Sequence, residues 1–290
     1  MKRKAYGRDF GLSARMGLTL FLFGALYVGL FALLLQSGVS LWLAVVIGAG
    51  GPLVQWYLSD RIALAAARAK IVSPEEAPEL HAMVDRLCAM SDLPKPRVAI
   101  IPTDVPNAFA TGRSPKHSAV AVTRGLWERL EPAEIEGVLA HELSHIGNRD
   151  VSVMTFASVI SNIAAFALWF GGGGRNREGP PIWLIALLVY FISYFLILAL
   201  SRYREFGADR GAALITGAPE NLMSALQKIA GDMLRIPQRD LRQVEGMNAF
   251  FIVPTNWKRS VGGLFLTHPP LEKRLARLAE IAQEMGRPVV

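Results

Sequence analysis

Cysteine occurs once in the 290 residues, as Cys88, so no disulfide can form within the chain. This fits a reducing compartment for whatever part is soluble. Cys88 shares an amphipathic stretch with Leu80, Val84 and Leu87, which predicts core packing and not catalysis. Charge is also scarce: Asp, Glu, Lys and Arg make up 19% of the residues, against about 25% in ordinary soluble domains. Hydrophobic residues reach 52% and mean hydropathy is +0.31, which places the chain in the membrane class. Acidic residues are in deficit, 24 against 31 basic, for a formal charge of +7. Such a surplus can signal nucleic acid, but its placement here argues otherwise. The Gly171–Gly174 run lacks a phosphate-loop pattern and reads as a flexible connection.

Four apolar segments approach the roughly 20 helical residues that cross a bilayer: Met16–Leu35, Val39–Leu58, Val151–Phe170 and Ile182–Leu200. The first follows a basic start but has no small-x-small cleavage site, and a second segment follows after three residues. An uncleaved helical hairpin is expected, not a signal peptide. Ser152, Thr155, Ser158, Ser161 and Asn162 dilute the third segment, which suits packing against other helices. Lys2, Arg3, Lys4, Arg8 and Arg15 precede the first segment, and Arg61, Arg68 and Lys70 follow the second. The 171–181 loop offers only Arg175 and Arg177. Both termini and the central region are therefore expected in the cytoplasm, with the basic residues facing the membrane and not nucleic acid.

These features predict a mainly α protein with a small β-sheet, an integral membrane protein with four candidate transmembrane helices and a cytoplasmic domain. The expected organisation is a basic N-terminus at 1–15, a membrane hairpin at 16–58 and a cytoplasmic part at 59–150. Two further apolar helices with a glycine-rich external loop take 151–200, and a second cytoplasmic part takes 201–290. Ser73-Pro74-Glu75-Glu76 reads as a capping box opening a helix over 73–91. Short β-rich stretches follow at Arg97–Ile101, Asn107–Thr111 and Ser118–Thr123. Glu131-Pro132 opens the next helix, and a final helix from about Pro270 carries the apolar stripe Leu271, Leu275, Leu278 and Ile281.

The chemistry begins with His141-Glu142-Leu143-Ser144-His145. Histidines four apart share one helix face and can reach one zinc ion. Glu142, about 100° around the helix, can act on water there without being a ligand. Five residues with three fixed positions recur by chance in roughly one chain per hundred of this length, and the alternative is a surface helix with two solvated histidines. Glu131, Glu134, Glu136, Arg149 and Asp150 surround the motif. At about 2.5–3.5 kcal/mol per charge in hydrocarbon, they exclude a membrane-embedded zinc helix. Asn148 and Val151 stand where a metzincin needs Gly and His, so the third ligand must come from elsewhere. Glu205 is the best candidate, and Asp209, four residues on, could accept a hydrogen bond from a ligand imidazole. The competing reading pairs both carboxylates with Arg202 or Arg210 at the surface.

His141-Glu-Leu-Ser-His145-Ile-Gly-Asn-Arg-Asp150, Arg204-Glu-Phe-Gly-Ala-Asp209 and Thr267-His-Pro-Pro270 together resemble the membrane-bound zinc endopeptidases of the HtpX family, relatives of the CAAX prenyl proteases. The likeness covers nearly the whole chain, including Asn107-Ala-Phe-Ala-Thr-Gly112. It implies that 59–150 and 201–290 are the catalytic parts of a cytoplasmic zincin-like metalloprotease domain, with one Zn2+ per chain held by His141, His145 and Glu205, Glu142 as general base and Asp209 orienting a ligand. It also implies a substrate-binding strand at Asn107, Ala108, Phe109 and Ala110, where a peptide adds in extended form. His268 resembles a histidine near the active site of relatives; it could serve the oxyanion or cap the last helix.

The implied reaction is peptide-bond hydrolysis, with Glu142 moving a proton from water to the leaving amine and His268 or Arg202 as candidate oxyanion donors. The implied setting is a bacterial inner membrane, with misfolded or damaged membrane proteins as substrates in envelope quality control and stress response. A prenyl-peptide protease would need more enclosing helices. A zinc-stabilised, non-enzymatic scaffold would have no need of Glu142. Gly231–Gly263 is a candidate covering segment on length alone.

Overall fold

The structure is a computed structural model that describes residues 10–37, 40–170, 182–233, 235, 236, 252 and 268–287. The glycine-rich loop, most of the basic N-terminus and nearly all of 231–263 beyond Met233 lie outside them. The chain divides into two compact units. One comprises Leu58–Val151 and Arg204 onward, the other Arg8–Tyr57 and Ser152–Tyr203.

The first unit is built on a four-stranded mixed sheet. Its strands are β1 (Lys70–Ile71), β2 (Arg97–Ile101), β3 (Ala108–Ser114) and β4 (His117–Thr123), in the order β1-β2-β4-β3. β2 and β4 are parallel, while β3 and β4 form an antiparallel hairpin that turns at Pro115-Lys116. Just before the turn the register shifts between Gly112 and Ser114; the φ of +136° at Gly112 suits glycine, and a Cβ there would lie 2.2 Å from the His117 carbonyl oxygen. Alternation sends Val98, Ala108, Val120 and Val122 to one face and Ala99, Ile101, Phe109, Ala119 and Ala121 to the other. Helix α3 (Ser59–Ala66) covers the second face through Ala63 and Leu64. On the first face the core is shared by α4 (Pro78–Ser91), α6 (Pro132–Asn148), α9 (Pro219–Met233) and α10 (Leu271–Glu284), with the short α5 (Arg124–Arg129) following β4. Cys88 sits in this core, and burial pushes its thiol up to about 11.

Two local expectations shift. The Ser73 capping box does form, with Ser73 N–H donating to Glu76 (2.9 Å), but only around an isolated turn. The helix begins at Pro78, because proline keeps the preceding Ala77 out of the α region, at φ −143° and ψ 64°. The true box stands at α6: Glu131 and Glu134 bond reciprocally, and Pro132 takes the first turn. Glu134 is also buried, contrary to a solvated motif flank. It accepts hydrogen bonds from Ser224 (2.6 Å) and Lys228 (2.9 Å), tying α6 to α9.

The second unit contains α1 (Phe10–Ser37), α2 (Leu41–Tyr57), all but the first two residues of α7 (Asp150–Phe170), and α8 (Ile182–Thr216) as far as Tyr203. Phe23, Leu30, Ile160, Ala164, Ala186 and Leu200 form its core. Hydroxyls that dilute α7 find partners inside: Ser152 accepts from the Trp56 indole (2.9 Å), and Ser161 pairs with Ser193 (2.8 Å). Large apolar side chains, among them Phe21, Trp42, Phe156 and Leu188, face outward.

Among the described residues two helices, not the expected four, are long and apolar enough to cross a membrane: Phe10–Leu30 within α1, and α8 from Trp183. The reason is length. α2 has 17 residues with Pro52 inside and rises about 26 Å, short of a core of about 30 Å. The described apolar part of α7 is the still shorter Asp150–Ala165. α8, by contrast, has 35 residues and runs as one helix past the apolar run into the first unit, as the sequence suggests.

Candidate metal centre

The site lies wholly within the first unit and is assembled by three helices. α6 carries His141, Glu142 and His145 on a turn that is almost entirely buried, which disposes of the surface-helix reading: His141 is 1% exposed. α8 brings Glu205 and Asp209, and α10 with the residues just before it brings His268 and Arg274. α6 and α8 can approach closely because residue 211 is glycine. A Cβ there would meet Ser144 Oγ at 2.3 Å and Ser144 Cβ at 2.8 Å.

His141 Nε2 and His145 Nε2 stand 3.1 Å apart, with Glu205 Oε2 3.6 Å from the first and Oε1 3.5 Å from the second. Ligands at 2.0–2.1 Å around a tetrahedral zinc are separated by about 3.3–3.4 Å. The donor set therefore fits this ion in spacing and in type. Glu205 Oε2 is buried without a hydrogen-bond partner among the described residues, a vacancy in bonding that a cation would fill. Among the described residues, these three form the group placed to hold a metal ion together.

The outer nitrogens are equally constrained. His141 Nδ1 lies 3.0 Å from Asp209 Oδ1, the contact expected of Asp209, and His145 Nδ1 lies 2.5 Å from Asp150 Oδ2. Each carboxylate is met by an arginine. Arg274 donates through Nε to Asp209 Oδ2 (2.9 Å) and through Nη2 to Oδ1 (2.6 Å), while Arg204 Nε is ion-paired with Asp150 Oδ1 at 3.1 Å. The surface pairing proposed for Glu205 and Asp209 does not occur: both are buried, and Arg210 instead meets Glu284. Asp150 and Arg204 stand within the quoted motifs, which give neither of them a role, and Arg274 lies outside them. Arg274 nonetheless had a signal, since it falls on the buried stripe of α10, three residues after Leu271 and four before Leu278.

Burial raises the Glu142 carboxyl above its ordinary range, against the pull of His141 and His145. Burial alone would lower His141, but the neighbouring Asp209 and Glu205 carboxylates prevail and raise it to about 9. Burial pushes Glu205 up, and the opposing effects of His268, His141 and His145 take it well below the usual carboxylate range. Asp209 is likewise lowered, with Arg274 the main force opposing burial.

His268 does not cap the last helix. Pro270 occupies that position without a side-chain cap, and His268 Nδ1 lies 3.2 Å from Glu205 Oε2. Arg202 Nε donates to the Leu198 carbonyl within its own helix. The expected substrate strand is only partly exposed in its chemistry. β3 begins at Ala108, Asn107 uses its side-chain oxygen to accept the Ile252 N–H (3.0 Å), and Phe109 packs into the core. Thr123 N–H bonds to Asn107 O, so the backbones of Asn107, Phe109 and Thr111 face β4 and those of Ala108 and Ala110 face away. The outward Ala110 N–H donates to Glu142 Oε2 at 2.8 Å. Within 231–263, Ile252 is buried, and its carbonyl accepts from Arg274 Nη1 (2.8 Å).

The sequence profile of peptidase family M48 matches residues 74–282. A protease HtpX homolog of Moorella thermoacetica is 54% identical over 299 aligned residues, covering 98% of each chain. A second, protease HtpX homolog 2 of Methanosarcina mazei, is 52% identical over 99% of this chain and 100% of its own. A third, from Pyrococcus furiosus, is 43% identical over 95% and 98%. Among solved structures, S. mikatae Ste24p shares the fold with a TM-score of 0.55 at 19% identity; the match covers 92% of this chain and 65% of that one.

Proposed function

Because this chain belongs to peptidase family M48, we propose that it is a membrane-anchored zinc endopeptidase with His141, His145 and Glu205 as ligands and Glu142 as general base. That it is a metallopeptidase follows from the family. The observation that carries the finer reading is the convergence of two imidazole nitrogens and an unpartnered carboxylate oxygen, with Glu142 buried beside them. Zinc, when bound, supplies Lewis acidity toward the scissile carbonyl and toward water.

The chain's own groups do the rest. Ala110 N–H fixes Glu142 Oε2, which leaves Oε1 to take a proton from the attacking water. Burial raises the proton affinity of that carboxyl, so it can hold the proton and then deliver it to the leaving amine. His268, whose Nδ1 lies 3.2 Å from Glu205 Oε2, stands beside the ligands, and the oxyanion role is assigned to it on that position. A peptide adding in extended form along the outer edge of β3 meets the backbone of Ala108 and Ala110 beside Glu142. The role assigned to Asn107 and Phe109 is to shape this edge from behind.

Outward-facing Phe21, Trp42, Phe156 and Leu188 support a lipid setting for the second unit, and the placement of Arg61, Arg68 and Lys70 supports a cytoplasmic catalytic unit. Damaged or misfolded membrane proteins as substrates, and a place in envelope quality control, rest on resemblance alone. The decisive comparison is wild type against Glu142→Gln in detergent, with metal content and cleavage of an unfolded membrane-protein substrate read together. Zinc should stay at one per chain while cleavage is lost by at least about 100-fold. Equal cleavage by both proteins would refute the assignment.

A further inference from the structure

Resting on the metal-centre reading above, we infer that Asp150 is a positioning residue for His145 and that Arg204 holds Asp150 in place. His145 points one nitrogen inward, Nε2 toward His141 and Glu205, and the other outward, Nδ1 at 2.5 Å from Asp150 Oδ2. An Nδ1–H donating to Asp150 fixes the neutral tautomer whose Nε2 lone pair faces the metal position. Asp150 is 3% exposed, so its charge has little solvent to turn to. Its other oxygen meets Arg204 Nε at 3.1 Å.

The backbone makes this contact possible. On an uninterrupted helix, position 150 would stand five residues beyond His145, about 140° around the axis and about 7.5 Å along it. An aspartate there could not reach the ring. α6 instead stops at Asn148, and Arg149 adopts a left-handed conformation at φ 56°, its N–H bonded to the carbonyls of His145 and Ile146. α7 then starts with Asp150 folded back under the imidazole. A non-glycine residue enters that region only against steric resistance, and here the turn it makes delivers a carboxylate to a ligand. Arg204 immediately precedes Glu205, so the same ion pair ties the helix that supplies the third ligand to the start of α7, just beyond the helix that supplies the first two. The centre thus has an arginine–carboxylate pair behind each imidazole: a doubly hydrogen-bonded Arg274–Asp209 behind His141, and an Arg204–Asp150 ion pair behind His145.

The test uses full-length protein in detergent, stripped of metal and titrated with zinc alone against a chelator of known affinity. Asp150→Asn preserves size and removes charge, and it should weaken zinc binding about 10–100-fold. A loss of tenfold or more supports the inference whatever the melting temperature of the metal-free protein. A role confined to fold stability would instead lower that temperature and leave the affinity of the folded protein at the wild-type value, which overturns it. Should Asp150→Asn not fold, Arg204→Gln decides: a loss of about threefold or more is expected, and wild-type affinity overturns the inference. Wild-type protein that takes up no zinc overturns the metal-centre reading and this inference together. One zinc in wild type with equal affinity in the variant overturns the inference alone.

Discussion

Removing Arg274 should destabilise the catalytic unit more than any other single charge deletion outside the ligands. The guanidinium is 2% exposed and makes three short hydrogen bonds, two to Asp209 at 2.9 and 2.6 Å and one to the Ile252 carbonyl at 2.8 Å, with a longer contact of 3.5 Å to His141 Nδ1. Asp209 is fully buried. Arg274→Met fills similar volume but leaves that carboxylate with His141 as its principal partner. Breaking a buried ion pair from one side costs about 3–5 kcal/mol, and hydrogen bonds to charged groups of about 1.5–3 kcal/mol each give the same order after solvation is regained. For a unit of this size the loss corresponds to about 10 °C in melting temperature. The assay is thermal unfolding of the metal-free, detergent-solubilised protein across pH. Asp209 is depressed below its ordinary 3.8 in the folded protein, so the stability it contributes is present above that value and lost as pH falls through its folded value. The gap between wild type and variant should therefore be widest near neutral pH and narrow below about pH 4. Arg274→Met combined with Asp209→Asn should recover most of the loss, since neither charge is then stranded. A shift under 2 °C for the single variant, or no recovery in the double, would refute the reasoning.

Two further outcomes follow from the same geometry. Gly211→Ala places a methyl 2.3 Å from Ser144 Oγ and 2.8 Å from Ser144 Cβ, so rotating the hydroxyl cannot relieve it. The helices must part, at a cost of about 1–3 kcal/mol, and peptidase activity should fall with zinc affinity; a fully active variant with wild-type melting temperature would contradict this. His141, held near pH 9 in the metal-free protein, is protonated at neutral pH, so zinc must displace about one proton. Calorimetry at pH 7 in buffers of different ionisation enthalpy should register that release, and metal-free stability from this group should be full below 6.5 and decline as pH rises toward 9. Binding heats independent of the buffer would exclude the displacement.

Much of the site is legible because it depends on local spacing. His141, Glu142 and His145 need only a helix, and Glu205 and Asp209 need only another, so the fourfold spacing conveys each set. The strands β2, β3 and β4 are readable for a similar reason, as β-rich stretches bounded by Pro, Gly and polar residues are local properties. Asp150 is not readable: its service to His145 depends on Arg149 taking a left-handed conformation, which no glycine announces. The burial of Glu134 is equally silent, because it depends on Ser224 and Lys228 arriving about 90 residues later. The expected second span fell short because α2 ends at 17 residues, and composition, which is additive, does not show where a helix stops.

The amino-acid sequence by itself determined the candidates for the reacting groups, the mainly helical build and the apolar character of the second unit, since each follows from residue type and period. Only the tertiary structure decided that Glu205 lies beside His141 and His145, that Arg274 and Arg204 stand behind Asp209 and Asp150, and that His268 faces Glu205 instead of capping a helix. These are distances between residues far apart in the chain, fixed by the close approach of α6 and α8 at Gly211 and by the packing of α10. Periodicity carries no information about such distances.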